Sequence, residues 1–183
     1  LVILLGLGVW QVQRHIWKSD LIEKLQTRAQ SASVTLASDI RDLDAIEFQR
    51  VRVTGKLLHD KELYLLNRSL NGNPGVHILT PLKRHDGDVI MINRGWTPFE
   101  KKDPRSREQG QLAGQVTVEG IVRIMRKPND FMPDNDPDKN TWFYWDAGAM
   151  AAAIGMESLP AYYVLAGKDP EAGMYPVGHQ WRL

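Results

Sequence analysis

The chain has 183 residues, 43% of them hydrophobic and 25% charged, with a formal net charge of +1 and no cysteine. That length supports one domain with its own core plus an appendage, and the charge balance leaves no field that would call for nucleic acid as a partner. The missing cysteines exclude disulfides, thiolate nucleophiles and cysteine-based zinc sites, without fixing a compartment.

The chain opens LVILLGLGVWQVQ, with no polar face from Leu1 to Val9. This run is shorter than the ~20 residues a spanning helix needs. It also lacks a small-residue cleavage site followed by a polar mature start. Residues 1–13 are therefore read as the C-terminal part of a transmembrane helix that begins upstream, with Trp10 as an interfacial aromatic. Residues 14–31 continue as an amphipathic membrane-exit helix. Trp10, Arg14, Trp17, Lys18, Leu21 and Leu25 recur at three- and four-residue spacings, which puts Arg14 between two tryptophans within cation–π reach. The default role for this helix is a stem whose basic residues meet lipid headgroups. Taken alone, that basic flank favours the cytoplasmic side. At the other end Trp181-Arg182-Leu183 stops without a cap or polar tail, so continuation is expected at both ends.

Residues 32–183 read as an extramembrane β-rich domain. Ser31 to Ser38 is a small, polar linker, and Asp39 to Phe48 holds one short helical turn. Arg50 to Thr54 alternates basic and apolar residues, as a half-exposed strand does, and Gly55 marks a bulge or corner. Asp60-Lys61 turns into a returning strand, Glu62 to Leu66. Asn67 to Gly75, NRSLNGNPG, reads as a turn-rich loop. Val76 to Leu82 is a strand, and His85-Asp86-Gly87-Asp88 is a hairpin turn.

That turn leads into Val89 to Pro98, VIMINRGWTP, expected to pair antiparallel with Val76 to Leu82. It begins as a continuous apolar run, which suits a strand buried on both faces. It then changes abruptly to Asn93-Arg94-Gly95-Trp96. The spacing favours a β-bulge with a capping Trp and an Arg lying over the sheet; the alternative is a strand end that presents these side chains to a ligand or partner.

Phe99 to Gly114 reads as an exposed loop, long for a plain connection and with room for one helical turn. Gln115 to Arg123 is an alternating strand with a bulge at Gly120. Lys127 to Asn140, with three prolines, is a surface loop. Thr141 to Trp145 reads as an aromatic strand. Asp146 caps a helix, Ala147 to Ile154, ended by Gly155. Ala161 to Ala166 is the last strand and Gly167 to Gly178 a loop. The predicted fold is β-rich α+β: a mostly antiparallel curved sheet or small partly closed barrel with short helices, preceded by the end of a transmembrane helix.

Catalytic equipment is not visible. The five histidines, His15, His59, His77, His85 and His179, form no HxxxH or HExxH pair. His59 and His85 fall in turns, and His77 lies on a strand, where a packed histidine is commoner than a ligand. His15 and His179 are lone histidines near the ends, weak signals for a cofactor. Asp134, Asp136 and Asp138 alternate, but Pro137 interrupts them and the Gly and Glu of an EF-hand loop are missing. There is no GxSxG, P-loop or GxGxxG. The reading is a non-enzyme without a metal site.

Five stretches together resemble the surfeit-locus-one (Surf or Shy) family of cytochrome c oxidase assembly factors. They are Gly6 to Ile22, GVHILTPL at Gly75 to Leu82, Val89 to Pro98, FMPDNDPDKNTWFYWD at Phe131 to Asp146, and PVGHQWRL at Pro176 to Leu183. The most specific parts are the GxWQxxRxxWK membrane exit, NRGW, and a PxNxPxxNxW loop. The resemblance implies two transmembrane helices flanking a domain. That domain would face the periplasm from a bacterial cell membrane, or the intermembrane space from the mitochondrial inner membrane.

It further implies partnership with the oxidase catalytic subunit, the heme a synthesis machinery and the lipid bilayer. The implied role is a heme a chaperone at the heme a insertion stage. The family's suspected heme-ligating histidine lies in an NxHLxYAxTW-type motif beyond residue 183, so no residue here inherits it. His179 stands where the family usually has Gly. Trp10, Gln11, Arg14, Trp17, Lys18, Gly75, Asn93, Arg94, Gly95 and Trp96 match family motifs. Of these, Arg14, Arg94 and Trp96 are the candidates for membrane-proximal heme contacts, an Arg holding a propionate by a charge-assisted bond. The competing expectation pairs Arg94 with a carboxylate inside the domain and gives Gly75 and Gly95 purely backbone roles. The alternative function is a cofactor-free, membrane-anchored scaffold that holds the nascent oxidase subunit through its β surface and the Phe99 to Gly114 loop. A membrane-tethered hydrolase is disfavoured by the missing nucleophile motif.

Overall fold

The computed structural model describes residues 31–126 and 131–179, together with Trp10, Gln11, Gln13 and Thr27, which are helical. Most of the expected membrane segment 1–13 and of the exit helix 14–31, including Arg14, Trp17 and Lys18, lies outside the described residues. Among the described residues, no helix is long and apolar enough to cross a membrane.

The elements are β1 (Val34–Thr35), α1 (Leu43–Ile46), β2 (Arg50–Leu57), β3 (Leu63–Leu70), β4 (Asn73–Arg84), β5 (Val89–Pro98), β6 (Gln115–Ile124), α2 (Ala147–Ala153) and β7 (Tyr162–Ala166). The strands form one seven-stranded sheet in the order β1-β2-β6-β7-β5-β4-β3. The sheet is mixed: β1 runs parallel to β2 and β5 parallel to β7, while the other pairs are antiparallel. β2 also pairs with β4, Gly55 opposite Arg84, so the pairings run β2-β6-β7-β5-β4 and return to β2. Gly55 permits that contact, because a Cβ there would lie 2.4 Å from the Lys83 carbonyl oxygen.

The apolar run of β5 is buried on both faces, as its composition predicts. Ile90 and Ile92 join a core with Leu36, Val51, Val53, Leu57, Leu82, Val122 and Val164. Met91, between them, joins a second core with Leu63, Leu65, Leu79, Trp142 and Met150, and alternation along a strand assigns the two cores to opposite faces. α2 covers the second core through Met150 and Ala151. Its cap is the expected one: the Asp146 side chain accepts from Ala149 N–H at 3.0 Å.

Three local expectations are corrected. Asn67 to Gly75 is not a loop. β3 continues to Leu70 and β4 starts at Asn73, joined by the two-residue turn Asn71-Gly72 with φ of 51° and 82°, which matches the right-handed strand twist. Thr141 to Trp145 is not a strand. It makes isolated bridges at Thr141 and Trp142, because the Asn135 side chain accepts from the backbone of Phe143 and Tyr144 (2.8 and 3.3 Å) and turns the chain. Trp142 plugs the second core, with its indole N–H donated to Asn140 at 3.0 Å. Phe99 to Gly114 is not uniformly exposed. It contains 3₁₀ turns at Phe99–Lys101 and Pro104–Gly110, and Arg107 and Gly110 are buried.

Candidate functional site

The end of β5 carries the residues singled out from the sequence. Opposite β4, the register shifts between Ile78 and Leu79: Gly95 faces Ile78 and Asn93 faces Leu79. Arg94 is thus the extra residue of a β-bulge. Asn93 and Arg94 send their side chains into different clusters.

Asn93 enters a cluster with two imidazoles. Its Oδ1 accepts from Gly95 N–H at 3.1 Å, which fixes the oxygen end of the amide. His179 Nε2 stands 3.2 Å from the same oxygen, so that nitrogen carries a proton. Asn93 Nδ2 lies 3.1 Å from His77 Nδ1 and donates to it, which leaves the neutral His77 proton on Nε2. The two rings meet edge to face at 4.9 Å. Burial, reinforced by the charges of His179 and Arg68, pushes His77 down to about 3. Burial pushes His179 down to about 4. Both imidazoles are neutral at physiological pH.

His179 reaches this cluster because residues 176–179 thread between strands, where a plain loop was expected. Trp96 and Val177 exchange backbone hydrogen bonds (3.0 and 2.7 Å), and His179 N–H donates to the Ala166 carbonyl at 3.0 Å. The tail thus enters where β5 and β7 part. Gly95 makes room: its φ is +108°, and a Cβ there would lie 2.0 Å from the Val177 carbonyl oxygen. Trp96 is buried beside the tail, its ring edge to face with Tyr175 at 6.2 Å. Gly75 serves Trp96 in turn, since a Cβ on it would lie 2.6 Å from the indole nitrogen.

Arg94 enters a buried ionic network. Its Nη2 donates to the Gly110 carbonyl at 2.6 Å, and its Nη1 lies 3.7 Å from Glu62 Oε1. Glu62 accepts from Arg107 Nη2 at 2.5 Å and from Thr80 Oγ1 at 3.3 Å, with His59 Nδ1 also at 3.3 Å. Arg107 Nη1 also donates to Glu62 Oε1 at 3.4 Å, and its Nε and Nη2 donate to the Lys101 and Lys102 carbonyls. The side chains of Glu62 and Arg107 are 1% exposed and that of Arg94 6%. Burial alone would raise the Glu62 carboxyl, but hydrogen bonds from His59 and Arg107 and the charges of Arg107 and Arg94 outweigh it and hold the group below the ordinary carboxylate range. Behind Gly110 opens a cleft of about 320 Å³ between the 101–110 loop and Met174–Tyr175.

The structure therefore gathers Gly75, Asn93, Arg94, Gly95 and Trp96 at one place. Arg14, Trp17 and Lys18 lie outside the described residues, and Trp10 and Gln11 are exposed helical residues. The side chains of Arg94 and Trp96 are both enclosed, and Arg94 lies beside the carboxylate of Glu62. Among the described residues no group of three potential metal ligands stands together. Asp136 pairs with Lys139 at 2.7 Å instead. Sequence reasoning missed Glu62, Arg107 and the His77–His179 contact. A lone glutamate opening a strand and an arginine in a charged loop carry no local signature.

The comparisons identify the chain's relatives. A model described as the SURF1 family matches residues 1–182. The chain belongs to the SURF1 family. It is 35% identical over 193 residues to Surfeit locus protein 1 of Mus musculus, covering 97% of this chain and 62% of that protein. It is 34% identical to Surfeit locus protein 1 of Homo sapiens and 34% identical to the SURF1-like protein of Drosophila melanogaster, covering 97% of this chain and 64% of each relative. The chain thus spans somewhat under two thirds of the length of these SURF1 relatives.

Proposed function

We propose that this chain is a non-enzymatic assembly factor for cytochrome c oxidase. It acts in maturation of the catalytic subunit at the heme a insertion stage, as a heme a chaperone. The observation that carries this reading is the SURF1 family match along residues 1–182, joined to the NRGW and PxNxPxxNxW motifs. In this reading the protein is held in a membrane, the β domain faces the periplasm or the intermembrane space, and the main heme ligand comes from beyond residue 183. The domain's own contribution is a stiff body. Its β5 end, tail and 101–110 loop are locked together by the two polar clusters, which preserves the geometry between membrane-side elements and the oxidase subunit.

A second reading, the cofactor-free scaffold for the nascent oxidase subunit, is favoured by one observation: Arg94 and Trp96 are enclosed. The visible absorption spectrum of the full-length protein, purified after co-expression with heme a synthesis, separates the two. A bound heme a band is expected. No band, from protein that still supports oxidase assembly in cells lacking their own copy, would leave the scaffold.

A further inference from the structure

The ionic network beside β5 does not balance its charge. Two guanidinium groups, Arg94 and Arg107, share the single carboxylate of Glu62, and His59 also directs a ring nitrogen at Glu62. Each of the three guanidinium nitrogens of Arg107 has a hydrogen-bond partner. Arg94 does not: its Nη1 is buried and has no hydrogen-bond partner. An enclosed charged donor without an acceptor is costly. Asp169 is the other carboxylate whose field reaches Arg94, but its side chain caps the following turn at Glu171 N–H, 2.9 Å away. No ion pair joins it to Arg94 among the described residues.

The surplus charge sits behind one thin wall. Arg94 Nη2 is bonded to the carbonyl of Gly110, and Gly110 lines the 320 Å³ cleft. Lys101 and Glu108 line the same cleft and are both exposed, while Arg105 is held by Asp103 at 2.9 Å, so the unbalanced charge of Arg94 leaves this region with one positive charge in excess. The opposite wall is apolar: Tyr175, and Met174 with 74% of its surface exposed. A cleft with mixed charges and a net positive excess on the loop side, and uncovered apolar surface at Met174, suits a molecule with an anionic head and a short hydrocarbon body.

We propose that the cleft between the 101–110 loop and Met174–Tyr175 binds the carboxylate or phosphate head of a small amphiphile. Lys101 makes the direct contact, Arg94 supplies the buried charge behind Gly110, and Met174 and Tyr175 receive the apolar part. The site needs no heme and stands whether or not the assembly reading does.

The test is calorimetric titration of the full chain in a nonionic detergent at low salt. The probes are hexanoate, hexyl phosphate, inorganic phosphate and hexanol. Hexanoate and hexyl phosphate are expected to bind, and the stronger of the two names the head group. Inorganic phosphate and hexanol should each bind about tenfold more weakly or worse, since each lacks half of the recognition. Arg94→Gln should raise Kd about tenfold, and Lys101→Ala about threefold. Met174→Asp should weaken the two amphiphiles without affecting inorganic phosphate. If Arg94→Gln fails to fold, Lys101→Ala and Met174→Asp, both at exposed positions, decide the matter. No binding of either amphiphile, hexanol binding as well as hexanoate, inorganic phosphate binding as well as hexyl phosphate, or unchanged Kd in the folded variants would each overturn the proposal.

Discussion

Adjacent on β5, Asn93 and Arg94 enter buried clusters of opposite electrical character. The Asn93 cluster holds two groups that could be cations, His77 and His179, and keeps both neutral by burial, with the proximity of His179 adding to the effect on His77. The Arg94 cluster holds groups that cannot give up their charge, and balances part of it with Glu62. Deprotonation is open to an imidazole near neutral pH, and pairing is the only course open to a guanidinium. The two clusters should therefore fail under different insults: the ionic one when its carboxylate is removed, the imidazole one when its backbone fit or its neutrality is lost.

Removing the carboxylate carries the largest expected effect. Glu62→Leu leaves Arg94 and Arg107 buried without their anion, and should cost about 3–5 kcal/mol in urea unfolding. The wild-type contribution is present above the ordinary carboxylate range and is lost as pH falls through the lowered Glu62 value. A loss below about 1 kcal/mol would show that the network relaxes around water and is not a fixed ionic core.

Gly95→Ala attacks only the imidazole side. Its φ of +108° and the 2.0 Å approach of the Val177 oxygen leave no room for a methyl group. The tail should leave its place between β5 and β7, at about 2–3 kcal/mol. Hydrogen exchange should then report faster exchange at the amides of Trp96, Val177 and His179, with the ionic network's protection retained. Loss of protection at both clusters together would mean that β5, and not the tail, holds the site.

Much of this region was legible because its signals are local. The apolar run Val89 to Ile92 announced a strand buried on both faces, Gly95 announced the bulge, and Asp146 announced a helix start. Asn71-Gly72 is also a local signal, a two-residue hairpin turn set inside a polar stretch whose composition resembles a loop. The clusters themselves were not legible. His77 meets His179 because the tail threads a gap between two strands, and Glu62 meets Arg107 across 45 residues. Neither contact leaves a periodicity, since each depends on strand order and on glycines that permit close approach. Thr141 to Trp145 misled in the opposite sense: an aromatic-rich segment suits a strand by propensity, but Asn135 captures its backbone and turns it into a plug.

Asn93→Asp sharpens the comparison by giving the neutral cluster an anion. The aspartate still accepts from Gly95 and His179, but it has no N–H to offer His77 Nδ1. At pH 7.5 the orphaned contact should cost about 1–2 kcal/mol. Part of that should return as pH falls toward 6, because a protonated His77 becomes a donor to the new carboxylate. A variant whose deficit is the same at both pH values would show that Asn93 acts through Gly95 alone.

An effect of similar small size is expected in the pH response of the unmodified protein, and its pH window separates the clusters without any mutation. An imidazole whose folded value is depressed stabilises the fold fully above its unfolded value near 6.5. That contribution is lost as pH falls toward about 4 for His179 and about 3 for His77. Glu62 contributes nothing to the slope until the pH enters the carboxylate range. Between pH 6.5 and 5 the two histidines therefore act without Glu62, and the unfolding free energy should fall by about 1–2 kcal/mol once residual solvation is allowed for. His179→Gln keeps a donor toward Asn93 but cannot take up a proton, so it should lower the slope over that window by roughly half. A wild-type stability that stays flat from pH 6.5 to 5 would mean that the tail leaves its groove before the rings are forced to charge, and would make the docked tail, not the neutral imidazole pair, the weaker of the two designs.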